Sequence, residues 1–183
     1  MAKINNVTLK NVTTFKGHEG EPLKQGNIYV GSTKVGFWSQ DSWGGCDNIS
    51  FDSKYDESRF IEKIKGLNPK KYLSLEDFFF NIVILNNYEK IFKKAIKEGF
   101  GGIVVATDGY DGYNAIIWKI PVTFTKLDDA EILCKLNALE KAKKEFNKEN
   151  NFFKHEFFVY RDISDFFVGK EICLADIVRL PKK

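Results

Sequence analysis

The chain has 183 residues, of which 43% are hydrophobic and 15% aromatic, and this predicts one globular domain with a substantial core. Its net charge of +3 permits contact with nucleic acid but excludes the dense positive charge of a DNA-coating protein. The three cysteines are scattered and form no CxxC pair, which excludes a disulfide framework. No apolar run is long enough to cross a bilayer, which excludes a membrane span. Together these features favour a cytoplasmic protein.

The first part of the chain, residues 1–52, has the alternation and the valine and threonine content that are typical of β-strands. Glycines are concentrated between residues 15 and 51, where they separate large aromatic residues, and this pattern indicates tight turns with exposed side chains. The expected strands, of which the middle two form a hairpin, cover residues 3–15, 27–31, 34–40 and 47–52.

Residues 56–98 are predicted to be helical. Asp56 is placed to cap a short helix with apolar residues at helical spacing. Ser74 opens a capping motif before a longer apolar stripe, which Gly99 is suited to terminate. The pair Asn86-Asn87 marks a point at which this second helix could divide in two.

The remainder of the chain alternates between strands and a helix. Residues 102–120 show the clearest hairpin, in which two apolar strands flank two Asp-Gly pairs. Residues 127–149 carry apolar side chains on one face and alternating lysine and glutamate on the other, which predicts a long helix. Residues 152–180 return to strands, with one predicted over residues 152–160 and a last one over residues 172–180. This order predicts a single α+β domain over residues 1–183, with a mostly antiparallel sheet packed against two or three helices.

Aromatic residues at predicted turns are the first candidates for contact with a partner. Such residues anchor protein interfaces or stack on unpaired bases, although many aromatics beside turns only cover the edge of the core. Trp43, between Ser42 and Gly44, is the one most favoured for exposure. The candidate partner-binding residues are Trp38, Asp41, Trp43, Tyr110 and Tyr113.

A set of lysines recurs at helical spacing opposite the apolar stripe of the second helix. A charged face of this kind is most often simply solvated. A basic face can also meet phosphate groups, which makes nucleic-acid binding a second hypothesis for the chain. The candidate nucleic-acid-binding residues are Lys90, Lys93, Lys94 and Lys97.

Two sets of side chains leave a small hydrolase as a further alternative. Cys46 shares a glycine-rich region with His18, and a thiol beside an imidazole is a common nucleophile, although no cysteine-hydrolase signature surrounds Cys46. Asp41 and Asp47 could hold Mg²⁺, but turn formation explains such aspartates more simply. No glycine-rich stretch matches a phosphate-binding or dinucleotide motif, so we expect no cofactor and no bound metal.

The glycine-rich block contains four short motifs, which are Phe15-x-Gly17-His18-Glu19-Gly20, Asn27-Ile28-Tyr29, Lys34-Val35-Gly36-Phe37 and Asp41-x-x-Gly44-Gly45. With these motifs the block resembles small proteins encoded by phages and mobile elements, and is similar to a type II-A anti-CRISPR family that inhibits Cas9. The similarity covers about the first third of the chain and does not extend over residues 53–183.

This resemblance implies a non-enzymatic inhibitor that docks on a Cas9-type RNA-guided nuclease and interferes with DNA engagement. Such effectors expose positively charged DNA channels, so an inhibitor that mimics DNA would be strongly acidic. Because this chain carries a net charge of +3, we expect it to bind a protein surface, alone or together with guide RNA or DNA. Its oligomeric state and its docking face stay open at this point.

Overall fold

The computed structural model describes residues 1–65, 74–107, 115–146 and 156–168. Their strands and helices, in chain order, are β1 (Lys3–Ile4), β2 (Val7–Lys16), β3 (Pro22–Val30), β4 (Thr33–Ser39), β5 (Asn48–Phe51), α1 (Glu57–Lys65), α2 (Leu75–Lys97), β6 (Gly102–Thr107), β7 (Ala115–Ile120), α3 (Asp129–Lys135), α4 (Ala138–Phe146), β8 (Glu156–Tyr160) and β9 (Phe167–Val168). Short 3-10 helices cover Val122–Phe124 and Ile163–Phe166.

These elements confirm the α+β class. The described residues form two compact units, the first made of residues 1–86 with 167–168 and the second of residues 87–166. The strands form two sheets where one was predicted, with six strands in the first unit and three in the second. Neighbouring strands are antiparallel throughout the described residues, apart from the parallel pair of β1 and β9. Whether the whole of residues 1–183 is one domain stays a prediction.

The first sheet has the strand order β5-β4-β3-β2-β1-β9. The predicted hairpin of residues 27–31 and 34–40 is confirmed as β3 and β4, which pair from Gln25 with Ser39 to Val30 with Thr33. The expectation of one strand over residues 3–15 is wrong, because a tight turn at Asn5-Asn6 separates β1 from β2. Both asparagines have positive φ, 45° and 68°, a conformation that asparagine tolerates better than most residues.

Helices α1 and α2 begin as the capping signals predict. Asp56 Oδ1 accepts the N–H of Arg59 over 3.0 Å, and Ser74 Oγ accepts the N–H of Asp77 over 3.1 Å. α2 continues through Asn86-Asn87 without a break and ends before Gly99, whose φ is +85°. Among the described helices, none combines the length and the apolar character that crossing a lipid bilayer requires.

The core of the first unit is aromatic. Trp38, Phe60 and Phe79 are almost completely buried, together with aliphatic residues of the strands such as Ile28. The ring of Phe60 stacks on Phe79 with the centroids 6.2 Å apart, and Trp38 meets Phe79 at the same separation. The rings of β4, α1 and α2 therefore form one packed cluster, in which burial of large apolar areas stabilises the unit.

The second unit is built around β6, every residue of which is buried. β6 lies between β7 and β8, and the two paired strands predicted within residues 102–120 are confirmed as β6 and β7. The predicted turn with its two Asp-Gly pairs lies outside the described residues. Val104 and Ala106 belong to a core cluster with Ile132 and Ala138 of the helices α3 and α4. Because side chains alternate along a strand, the neighbouring positions Ile103 and Val105 belong to the opposite face.

The long helix predicted over residues 127–149 is a pair of helices, which corrects that prediction and brings the described helices to four. α3 begins with a capping box between Asp128 and Glu131. The helix is interrupted at Asn137, whose φ is +52°, and α4 starts at the next residue. β8 confirms a strand at residues 156–160, whereas residues 147–149 and the predicted last strand over 172–180 lie outside the described residues.

Candidate functional site

Two loops of the first unit lie side by side, the turn between β2 and β3 and the loop between β4 and β5. The N–H of His18 donates a hydrogen bond to the carbonyl of Ser42 over 2.8 Å. The imidazole of His18 stacks on the indole of Trp43, with the ring centroids 3.7 Å apart and the planes at 24°. Trp43 is nevertheless 73% exposed. We call His18 and Trp43 together the Trp43 platform.

Asp41 organises the loop that carries Trp43. Its Oδ2 accepts the backbone N–H of Trp43 over 3.0 Å and that of Gly45 over 2.8 Å. Between these two residues Gly44 takes a φ of +77°, which a side chain would disfavour. The predicted turn role of Asp41 is thereby confirmed. Trp43 is exposed on a loop whose backbone is held by the hydrogen bonds to Asp41.

The turn of residues 17–21 presents His18. The N–H of Gly17 donates to the carbonyl of Glu21 over 2.9 Å, and the N–H of Gly20 donates to the carbonyl of Gly17 over 3.1 Å. Gly20 takes a φ of +87°, which glycine adopts without strain and a residue with a side chain does not. Glycine at residue 20 therefore allows the tight turn that brings the imidazole of His18 against Trp43.

Trp38 lies in the core beneath the loop and has no exposed surface. This corrects the expectation that its ring is available to a partner, since β4 places it on the buried face of the sheet. Its indole N–H donates to Asp47 Oδ2 over 2.7 Å, and the N–H of Asp47 donates to Glu76 Oε1 over 2.9 Å. Burial raises the pKa of Asp47; the hydrogen bond from Trp38 opposes this rise, while the charges of Glu76 and Asp41 add to it.

Of the residues of the hydrolase alternative, the two aspartates make structural contacts. The fold brings Asp41 and Asp47 near each other, but the carboxylate of Asp41 already accepts hydrogen bonds from its own loop, and that of Asp47 accepts one from Trp38 of β4. Cys46 is an exposed free thiol, and within the described residues no hydrogen bond joins it to His18. The same part of the chain contains no group of three His, Cys, Asp or Glu side chains arranged to hold a metal ion.

The lysine candidates lie on the exposed face of α2, in the second unit. Lys93 Nζ lies 2.7 Å from Glu89 Oε1, so one of the four charges is partly neutralised. Lys90, Lys94 and Lys97 form no ion pair with any described residue. Three ammonium groups without an ion pair to a described residue, at helical positions i, i+4 and i+7, thus share one face of the helix, although the charge of Lys94 also acts on Glu98.

Tyr110 and Tyr113 lie outside the described residues, so Trp43 and Asp41 are the sequence candidates that the structure places at the platform. Sequence reasoning missed His18 as the partner of Trp43, although Gly17 and Gly20 on either side of it signalled an exposed turn. Comparison of the chain with protein-family models, curated proteins and solved structures finds no match. The chemistry of the site is therefore the basis for a functional proposal.

Proposed function

We propose that the protein is a non-enzymatic inhibitor that binds a Cas9-type RNA-guided nuclease and blocks DNA engagement or cleavage. The observation that carries the proposal is the Trp43 platform, whose indole is largely exposed although an imidazole is stacked on it. The choice of partner rests on the resemblance of residues 15–51 to the type II-A anti-CRISPR family. The cytoplasm of a bacterial host of a phage or mobile element is the expected place of action.

An exposed tryptophan is the side chain best suited to anchor a protein interface. Tryptophan is enriched among the few interface residues whose truncation costs about 2 kcal/mol or more. The backbone of the Trp43 loop is already fixed by Asp41, and the ring is already stacked on His18. Little conformational entropy is then lost on binding, so more of the contact energy contributes to affinity.

The net charge supports docking on protein rather than imitation of DNA. With 28 basic and 25 acidic residues the chain lacks the acidic surplus that a DNA mimic needs to enter a positively charged channel. An inhibitor of this charge is better suited to a mixed surface of the nuclease, with or without its guide RNA. The same complex can include guide RNA or DNA as a further contact.

The test is a plasmid-cleavage assay with guide-loaded Cas9, titrated with the wild-type protein and with Trp43→Ala. We expect inhibition near an equimolar ratio, and a loss of potency of about thirtyfold or more in Trp43→Ala. Val122→Ala is the matched control, since Val122 is a large apolar residue that is 56% exposed in the other unit. Cys46→Ala is expected to inhibit as well as the wild type.

Two results would count against this proposal. Absence of both inhibition and a complex with guide-loaded Cas9 on size exclusion would remove the nuclease as the partner. Full inhibition by Trp43→Ala would show instead that docking uses another surface. If the protein acted as an enzyme, substoichiometric amounts would inactivate the nuclease by turnover. Inhibition at a fixed stoichiometry would argue against an enzymatic mechanism.

A second candidate function is nucleic-acid binding by an accessory protein. It is favoured by the three lysines of α2 that are free of ion pairs among the described residues, Lys90, Lys94 and Lys97. Phosphate contacts release counterions, so the affinity would fall steeply with salt. Under this function the Trp43 indole could stack on an unpaired base.

A gel shift of labelled single- and double-stranded DNA without Cas9 tests this second function. Replacing the three lysines by glutamine is expected to reduce the slope of log affinity against log salt by about two to three. The control with the same change of charge is the triple glutamine variant of Lys135, Lys141 and Lys144, which are exposed on α3 and α4. Binding that does not change with salt would contradict the hypothesis.

A further inference from the structure

An open cleft of about 620 Å³ lies at the start of α1, formed by residues that the Trp43 platform does not use. Its volume is within the range of small-molecule sites, about 300–1,000 Å³. The described residues that line it belong to the first unit and are Lys54, Tyr55, Asp56, Arg59 and Phe60. Aromatic and cationic side chains therefore meet in one concave space.

The aromatic wall of the cleft is held in place. Tyr55 is half-buried, and its ring stacks on Phe51 with the centroids 5.9 Å apart and the planes at 19°. Phe60 meets the ring of Tyr55 edge-on, also at 5.9 Å, and is itself only 1% exposed. A flat ligand that entered the cleft would meet a tyrosine already fixed by its neighbours.

The two cations of the cleft are without an ion-pair partner in the described part of the chain. Lys54 and Arg59 are exposed, and neither forms an ion pair with a residue of the described chain. Tyr55 and Arg59 both line the cleft. Burial raises the pKa of Tyr55, and the positive charge of Arg59 opposes that rise. Asp56 is the acidic residue of the lining, and its Oδ1 accepts the N–H of Arg59 as the cap of α1.

We propose that this cleft binds a nucleoside monophosphate, with the base against Tyr55 and the phosphate between Lys54 and Arg59. A guanidinium matches the geometry of a phosphate through two parallel hydrogen bonds, and an ammonium adds a second positive charge. Base stacking on an aromatic side chain accepts every base, so we expect weak discrimination among bases. The proposal involves no glycine-rich phosphate loop and does not depend on nuclease inhibition.

The experiment is isothermal titration calorimetry of the full chain with AMP, with adenosine and with inorganic phosphate. AMP is expected to bind, and adenosine and phosphate are each expected to bind at least tenfold more weakly, because each lacks one half of the contacts. Absence of AMP binding at about 1 mM would overturn the proposal. Equal binding of phosphate and AMP would also overturn it, since the aromatic wall would then contribute nothing.

Variants with opposite expected effects make the test specific. Arg59→Gln is expected to weaken AMP binding at least tenfold. Asp56→Asn keeps the helix cap, because asparagine caps as well as aspartate, and removes a negative charge, so it is expected to strengthen binding about threefold. Lys34→Gln, which removes a positive charge from an exposed site on β4, is the control and is expected to bind AMP like the wild type.

Two further outcomes would contradict the assignment. If Lys34→Gln weakened AMP binding by the same factor by which Asp56→Asn strengthened it, the effect would come from the net charge of the protein rather than from the cleft. If a single-stranded oligonucleotide bound with the same dependence on Arg59 while AMP did not bind, the cleft would serve a nucleic acid rather than a free nucleotide.

Discussion

The buried indole of Trp38 donates its N–H to the carboxylate of Asp47, with 2.7 Å between Nε1 and Oδ2. The core of the first unit is thereby linked directly to the loop that exposes Trp43. Asp47 in turn donates its backbone N–H to Glu76 in the first turn of α2. The aromatic core, the loop that carries Trp43 and the start of α2 are thus joined through Asp47.

Trp38→Phe is expected to lower the free energy of unfolding by about 2–4 kcal/mol. The change leaves a cavity beside Phe79 and deprives the part-buried Asp47 carboxylate of its indole donor. Urea unfolding followed by circular dichroism measures the loss. Trp43→Phe is the matched control, because Trp43 is exposed, and it is expected to change stability by about 0.5 kcal/mol or less. Equal losses in the two variants would contradict the assignment of Trp38 to the core.

The raised pKa of Asp47 has a consequence for stability against pH. A carboxyl whose pKa rises on folding binds its proton more tightly in the folded state, so its ionised form destabilises the fold at neutral pH. This cost is relieved as pH falls through the folded pKa and is gone below the ordinary aspartate pKa of about 3.9. We therefore expect the wild type to gain stability relative to Asp47→Asn between pH 7 and pH 4.

Urea titrations of both proteins at matched ionic strength across this pH range measure the difference. Each variant is compared with the wild type at the same pH, so the other titrating groups cancel to first order. A difference that stays constant from pH 7 to pH 4, or one in which the wild type loses relative to Asp47→Asn, would contradict the prediction.

Tyr160→Phe is expected to leave the second unit unchanged or to stabilise it by up to about 1 kcal/mol. The ring of Tyr160 stacks on Phe166 at 4.6 Å and 7°, and phenylalanine keeps that contact. The hydroxyl is buried and has no hydrogen-bond partner among the described residues, so its removal relieves a desolvation cost. Burial is the main cause that raises the pKa of Tyr160, and the neighbouring Tyr88 and Asp165 add to the rise.

Thermal or urea unfolding of Tyr160→Phe tests this expectation directly. Phe166→Leu is the comparison, because it removes the stacked ring itself and is expected to cost about 1–2 kcal/mol. A loss of more than about 1 kcal/mol in Tyr160→Phe would mean that the hydroxyl makes a stabilising bond after all.

Two glycines of the first unit are expected to differ sharply in their tolerance of alanine. A Cβ at Gly36 would collide with the carbonyl oxygen of Ser50 across the pair of β4 and β5, so Gly36→Ala is expected to cost about 3 kcal/mol. A Cβ at Gly44 would meet open space, and only its φ of +77° makes alanine unfavourable, by about 1 kcal/mol. Urea unfolding compares the two, and similar losses would contradict the steric explanation for Gly36.

Local signals in the sequence predicted much of the secondary structure. Some of these signals depend only on residues close together in the chain, and they could be predicted without knowledge of the fold. They are the helix caps at Asp56 and Ser74 and the paired strands within residues 102–120. The breaks at Asn5-Asn6 and at Asn137 were missed. Asparagine can take a positive φ but does so only where its surroundings favour it, so its presence alone does not mark a turn.

The candidate site was predictable in part. The exposure of Trp43 followed from its glycine-rich surroundings and is confirmed. The sequence did not predict that Trp38 is buried. Alternation along a strand shows which residues share a face, but it does not always show which face the rest of the fold covers. The ion pair between Lys93 and Glu89 was also not predicted from the sequence, although their spacing of i, i+4 on a helix permits it.

By itself the sequence determined the α+β class, the helix starts and the exposed turn at Trp43, because periodicity, capping and turn chemistry act over a few residues. Only the tertiary structure decided that His18 stacks on Trp43 and that Asp47 reaches Glu76, 29 residues away in the chain. Such meetings depend on strand order and on the packing of α2 against the sheet. Strand order and helix packing are set by the burial of the apolar surface of the whole unit. No single stretch of the sequence specifies that burial.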